Sequence, residues 1–408
     1  MEAIEEAVEA ARDETAALDP RSLGEGPPLE AARALVPLIR REAARMHEER
    51  ELTPEVATAL ADARLFHMFV PRSLGGRELP QPEYLAVVEA LGHADASTGW
   101  CVNQGAVFMT TSAFIDRGAA ERIWDSPRTV IANGPSPTAL ARRAPNGYRV
   151  TGRWTFSSGF PHATWLAGLS VLADEHGERL RGPDGEMVVR HMIFPKSAAI
   201  RHDTWHTRGL RATGSYDFEV KDIFVPEENS VWTYGDTVKE PGPLYAYSMV
   251  LLFACGFASV ALGVARAGLD SFIDFAGGKR PRGDRARLAD KQVVQSQVGA
   301  AEMKWRSGRY GLHGAVREVW DRVSATGRFA IEDRVALRGA ATHAIHLAKE
   351  AVDIAYEACG SDAIFEHHPI QQRFQDIHTI TQHLQGRRAH YETIGQLVLG
   401  VEPDRQWL

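Results

Sequence analysis

Phe156, Ser157, Ser158 and Gly159 set an aromatic ring, two hydroxyls and a conformationally free residue in direct succession. A hydroxyl donates one hydrogen bond and accepts two, and glycine reaches backbone angles closed to other residues. The string therefore suits a loop edging a flat heteroaromatic ligand. It also reads as a hairpin whose serines satisfy only their own backbone. Ahead of it Tyr148, Val150 and Gly152 alternate with Arg149, Thr151 and Arg153, and Asn146-Gly147 is a turn signal, so a half-buried strand delivers the loop.

Other chemistry-bearing residues give weaker patterns. His343 and His346 stand three apart on an alanine-rich stretch without a third ligand of suitable type nearby, so solvent or interface histidines are expected rather than a metal pair. Cys101, Cys255 and Cys359 are far apart among apolar or small residues, which indicates neither a disulfide framework nor a zinc site and fits a reducing cytoplasm. The basic run Lys279 to Arg287 reads as a solvated loop or as a phosphate contact.

The chain of 408 residues exceeds one core, so two or three domains are expected; 44% apolar and 24% charged residues are ordinary for a soluble enzyme. A net charge of -7 with dispersed arginines gives no basis for nucleic-acid binding. The acidic start, MEAIEEAVEAARDE, lacks the layout of a secretory signal. Met249 to Ala265 is uncharged but short for a bilayer and carries Gly256, Ser259 and Gly263, so a helix buried on all sides is expected, not a membrane span.

The elements divide into an N-terminal extension (1–28), a helical domain (29–126), a β-domain (127–235) and a helical domain (236–408). Helices are expected over Glu30 to Arg50, from Thr53-Pro54, over Pro82 to His93 and from Ser97-Thr98. Strands are expected at Thr129–Asn133, Gly147–Trp154, Trp165–Ala173, Met187–Pro195 and Ser215–Val225, forming a small barrel or sandwich. Met249–Gly277, Arg285–Val323, Ala330–Cys359 and Gln372–Leu399 would make a four-helix bundle. The fold class is α+β.

This order resembles the acyl-CoA dehydrogenase superfamily. FVPRSLGG (Phe69 to Gly76), WHTRGLRATGSYDFEVKDIFVP (Trp205 to Pro226) and EACGSDAIFEHHPIQQRFQDIH (Glu357 to His378) are similar to its local strings, and the likeness spans roughly residues 30 to 400. The position that holds the dehydrogenases' glutamate base, eight residues after Asp376, is Leu384, which cannot accept a proton; His383 stands beside it. With G-x-W-x-F-S-S-G-x-x-H-A-x-W, this resembles the two-component flavin-dependent monooxygenases, the group that includes phenol hydroxylases, dibenzothiophene monooxygenase and amino-sugar nitrososynthases.

The resemblance implies that reduced flavin from a separate NAD(P)H-flavin reductase reacts with O2 to a C4a-hydroperoxyflavin, which hydroxylates a small phenolic substrate. N-oxygenation of an amine, acyl-CoA dehydrogenation and a silent binding subunit are the alternatives. It implies catalytic roles for His383, seven residues after Asp376 on a shared face if the helix is unbroken, and for Ser158 against flavin N5 and O4. Asn133, Gly134, Ser136, Phe156, Ser157, Arg211 and Thr213 would border the flavin, with Trp100, Phe108 and Ser215 lining the substrate pocket. Arg280 and Gln292 would reach the flavin phosphate of a neighbouring subunit in a homotetramer, a dimer of dimers. The segment around them lacks the aromatic expected near an FAD adenine, which suits FMN or loosely held flavin. No metal is implied.

Overall fold

The computed structural model describes residues 20–405 and 407–408, so most of the expected N-terminal extension lies outside the described residues. After a single turn at Pro20–Leu23 come α1 (Pro28–Glu49), α2 (Pro54–Asp62), α3 (Gln81–Ala94), α4 (Ala96–Phe108) and α5 (Arg117–Ile123). Three of these begin with proline in the first turn, where the missing N–H costs nothing. The start of α4 is fixed by the Asp95 carboxylate, which accepts from the Thr98 N–H at 2.7 Å.

The β-domain, expected as a small barrel or sandwich, is one seven-stranded mixed sheet in the order β5-β6-β2-β1-β3-β4-β7. The strands are β1 (Ile131–Ala144), β2 (Gly147–Ser157), β3 (Trp165–Ala173), β4 (Val189–Pro195), β5 (Ile200–His202), β6 (Tyr216–Pro226) and β7 (Ser230–Val231). β1 outruns its expected end at Asn133 because Pro135 and Pro137 fall in a register shift between Gly134 and Ala139 opposite β3, where no ladder N–H is needed. The two shortest strands, β5 and β7, give no legible alternation.

The sheet curls around Trp154, which stacks on Phe218 at 4.8 Å and also meets Phe194, while its indole N–H donates to the Leu169 carbonyl at 2.7 Å. Gly134 and Gly168 are the floor beneath this side chain: a Cβ on Gly134 would lie 2.5 Å from the ring's Cγ and one on Gly168 2.2 Å from its Cζ2.

The C-terminal region holds α6 (Met249–Gly278), α7 (Gln292–Thr326), α8 (Ile331–Cys359), α9 (Pro369–Gln382) and α10 (His390–Val398). The single helix expected over Gln372–Leu399 is two helices. His383 has extended backbone (φ -71, ψ 149), and a 3-10 turn at Leu384–Gly386 separates them. The uncharged segment of α6 is 89% buried within the protein, as its composition predicts. One hydrophobic core unites both helical regions, since α3 and α6 touch backbone to backbone: a Cβ on Gly263 would lie 2.3 Å from the Glu89 carbonyl oxygen.

Candidate active site

The β2 strand ends in the left-handed residue Phe156 (φ 59), after which Ser157 and Ser158 turn inward and Gly159 (φ 82) starts a short turn. Ser158 is buried and faces α4: its Oγ accepts from the Trp100 indole N–H at 3.1 Å and pairs with Ser215 Oγ at 2.7 Å. Ser215 pairs in turn with Thr213 Oγ1 at 2.7 Å. One turn along α4 from Trp100, Gln104 donates its side-chain amide to Asn133 Oδ1 on β1. A single helix face therefore gathers Trp100, Ser158, Ser215, Thr213 and Asn133.

His383 approaches the same tryptophan from the bundle. Trp100 stacks on Phe257 of α6 at 3.8 Å, and the imidazole sets its edge against both rings at 5.0 Å. Its Nδ1 accepts from the Gln385 backbone N–H at 3.3 Å, so in the neutral ring the proton sits on Nε2. Burial, and secondarily Arg338, push the imidazole down to about 4, which keeps it uncharged at neutral pH. Among the described residues no carboxylate pairs with His383.

Asp376 does not share a face with His383, because the helix stops between them. Its carboxylate accepts from the Leu210 N–H at 2.7 Å and from the Gln372 amide at 2.8 Å, clamping the 207–214 loop against α9. In that loop Arg211 donates to the His47 carbonyl at 3.0 Å, which ties it to the end of α1.

Other expected residues sit apart. Gly134 lies beneath Trp154, and Ser136 is half-buried within the β1 irregularity. Phe108, two turns beyond Trp100, is fully buried with its ring edge against His191 of β4 at 5.2 Å. Arg280 and Gln292 are exposed at the loop joining α6 to α7. From Phe257 to the end of α6 is about 30 Å at ~1.5 Å per residue, so within one chain they are remote from the Trp100 cluster.

Sequence reading overlooked Phe257, Arg338 and Gln385. Phe257 is hidden in the uncharged first half of α6, where apolar residues cover every face. Arg338 is completely buried, donating to Gln385 Oε1 at 2.5 Å and to the Trp407 carbonyl at 3.0 Å, so it pins the turn that carries His383. Arg338→Met leaves the buried Gln385 Oε1 and the part-buried Trp407 carbonyl without this donor, and a loss of about 2 kcal/mol in urea unfolding is expected. Lysine, a point charge without the planar fork, should recover only part of it. A methionine variant as stable as the parent would show that this grip on the turn contributes nothing.

Two helical regions closing on a curled sheet, with the polar and aromatic groups converging at their junction, define an acyl-CoA dehydrogenase fold. Residues 30–121 match the family model for the acyl-CoA dehydrogenase N-terminal domain and residues 255–387 that for the C-terminal domain. Indole-3-acetate monooxygenase of Pseudomonas putida is 30% identical over 94% of this chain and 96% of its own. The oxygenase component of the FADH2-dependent resorcinol hydroxylase of Rhizobium sp. is 27% identical over 91% and 93%. The structure of XiaF from Streptomyces sp., in complex with FADH2 and glycerol, superimposes with a TM-score of 0.84 at 25% identity, covering 97% and 98%. The chain belongs to the flavin-dependent monooxygenase branch of the acyl-CoA dehydrogenase superfamily.

The site fits a flavin. Ser157 Oγ is fully buried without a hydrogen-bond partner, so it has bonding capacity to offer a polar ring edge. Phe156 is 67% exposed in a strained backbone setting, a costly way to hold a ring in water unless something flat covers it.

Proposed function

We propose that this chain is the oxygenase component of a two-component system, receiving reduced FMN or FAD from a separate NAD(P)H-flavin reductase and hydroxylating a small phenolic or related aromatic substrate with O2. The carrying observation is the junction at Trp100, where one indole donates to Ser158 and meets the edge of a neutral His383. Reduced flavin, when bound, supplies the electrons that activate O2.

The protein's own residues do the rest. Ser157, Ser158 and Asn133 bind and orient the ring, Phe156 excludes water from it, and Trp100 with Phe257 gives an aromatic substrate an apolar wall. His383 Nε2–H, in a low-dielectric setting, donates to a developing oxyanion, and the same ring takes up a phenolic proton only after a tautomer change. Leu384 in place of a carboxylate removes the base that dehydrogenation of a thioester requires.

Assembly as a homotetramer belongs to the proposal. Arg280 and Gln292 could serve a flavin only from a neighbouring copy, and α7 leaves Met303 and Tyr310 exposed two turns apart. The buried, unpaired thiols of Cys101, Cys255 and Cys359 suit a cytoplasmic setting.

The test mixes the protein with anaerobically reduced FMN or FAD, then with 18O2 and either resorcinol or indole-3-acetate as probe. One labelled oxygen in the aromatic product is expected. Quantitative hydrogen peroxide with every phenol and indole tried, together with bleaching of bound FAD by an acyl-CoA, would return the chain to dehydrogenase chemistry.

A further inference from the structure

A buried hydroxyl chain crosses the site, and both of its ends are fixed. At one end the Trp100 indole nitrogen can only donate, and it does so to Ser158 Oγ at 3.1 Å. At the other the Leu210 carbonyl can only accept, and Thr213 Oγ1 donates to it at 2.9 Å. Ser158 to Ser215 and Ser215 to Thr213, each 2.7 Å, complete the chain. Four bonds share four protons, one from the indole and three from the hydroxyls. Only one order satisfies them all: Trp100 donates to Ser158, Ser158 to Ser215, Ser215 to Thr213, and Thr213 to the carbonyl.

The consequence falls on Ser158. Its single proton is committed to Ser215 and one lone pair to Trp100, which leaves one lone pair and no proton for a ligand. Ser158 is also the hydroxyl nearest to solvent, 8% exposed against 3% for Ser215 and 1% for Thr213. The carbonyl end is held firmly, because Leu210 is clamped by Asp376 through its N–H and its carbonyl also accepts from the Trp205 indole at 3.2 Å.

We infer that Thr213 is a positioning residue that sets this proton order, so that Ser158 meets a bound isoalloxazine only as an acceptor and the site selects the reduced flavin over the oxidised one. Reduced flavin carries a proton on N5 and can donate to the free lone pair. Oxidised flavin presents a bare nitrogen there and a carbonyl oxygen at O4, neither of which can bond to a hydroxyl whose proton is already used. Thr213 thus acts through Ser215 and Ser158 rather than by touching the ring. The inference rests on the proposed contact between Ser158 and the flavin.

The test is a binding measurement on the full chain without substrate. Affinities for FMN, and separately FAD, are measured in the oxidised form and, under argon, in the photoreduced form, for the parent, Thr213→Val and Thr213→Ser. Valine keeps the shape but removes the terminal donor and acceptor, so Ser215 can turn its proton to Ser158 and Ser158 can donate outward. The preference for reduced over oxidised flavin should fall about tenfold, the worth of one exchanged hydrogen bond. Serine restores the hydroxyl and should restore the preference. If Thr213→Val folds poorly, Ser215→Ala breaks the same chain at its middle and carries the same expectation.

A merely structural role would weaken both redox forms alike. An unchanged ratio in the valine and alanine variants, or a serine variant that behaves like valine, overturns the inference while leaving the flavin reading intact. A parent protein that binds neither form of either flavin removes that reading and the inference together.

Discussion

His383→Ala is expected to lower aromatic product formed per reduced flavin consumed by about 100-fold, the usual scale for removing a positioned acid–base group, with the electrons diverted to hydrogen peroxide. Affinity for reduced flavin should change little, because the ring of His383 packs on Trp100 and Phe257 rather than on Ser157, Ser158 or Asn133. The tautomer sharpens the expectation. With Nδ1 occupied by the Gln385 N–H, His383 offers a proton from Nε2, so His383→Gln, whose amide can donate but cannot take a proton, should keep more activity than alanine. Equal loss in both would point to proton abstraction as the role that matters. Because burial holds the imidazole near 4, the acid limb that it sets in a pH–yield profile should lie near that value, and the profile should be flat from about pH 6 upward as far as this group is concerned. Full product yield in the alanine variant removes His383 from the chemistry.

The second large effect is on acid stability. Burial pushes His383 and His191 down to about 4 and His162 to about 3; a lysine, Lys196, adds to the effect at His162. In the unfolded chain each would titrate near 6.5. Between these values the unfolded form binds protons that the folded form refuses, so stability is full above 6.5 and falls as pH drops toward 4, by up to about 1.4 kcal/mol per pH unit for each histidine. His47 works the other way. Burial opposes its charge, but its 2.8 Å bond to Asp95 outweighs this and raises it, so its contribution is present below 6.5 and lost as pH rises through the folded value. Urea unfolding followed from pH 7.5 to 4.5 should show the midpoint falling steadily below 6.5. Replacing His162, whose two ring nitrogens are buried without partners beside Phe66, with phenylalanine should flatten that fall. A midpoint that holds constant down to pH 4.5 would mean these rings are hydrated in the folded protein.

Local patterning made much of the architecture legible. Proline at helix starts, the Asn146-Gly147 turn, the alternation through Arg153 and the uncharged run from Met249 each act within a few residues, and each element formed where those short-range preferences put it. The expected single helix over Gln372–Leu399 failed for a reason that is not local. His383 leaves the helix to pack against Trp100 and Phe257, two rings far away in the chain, and Arg338 holds the turn that this departure creates.

Ser157, Ser158 and His383 were recognisable as residue types able to do chemistry, and the string around the serines carried enough information to single them out. Which atoms they meet was decided only on folding. Trp100, Phe257, Thr213 and Arg338 lie on separate elements, and nothing in one-dimensional spacing says that an indole on α4 will donate to a serine at the end of β2 while stacking on α6. Gly134 is expected in a ligand loop, and folding adds a packing demand that spacing does not show, since a Cβ there would clash with Trp154. Sequence fixes side-chain chemistry and local backbone preference because both act over a few bonds; hydrogen-bond direction, tautomer and burial depend on long-range packing, and so belong to the tertiary structure alone.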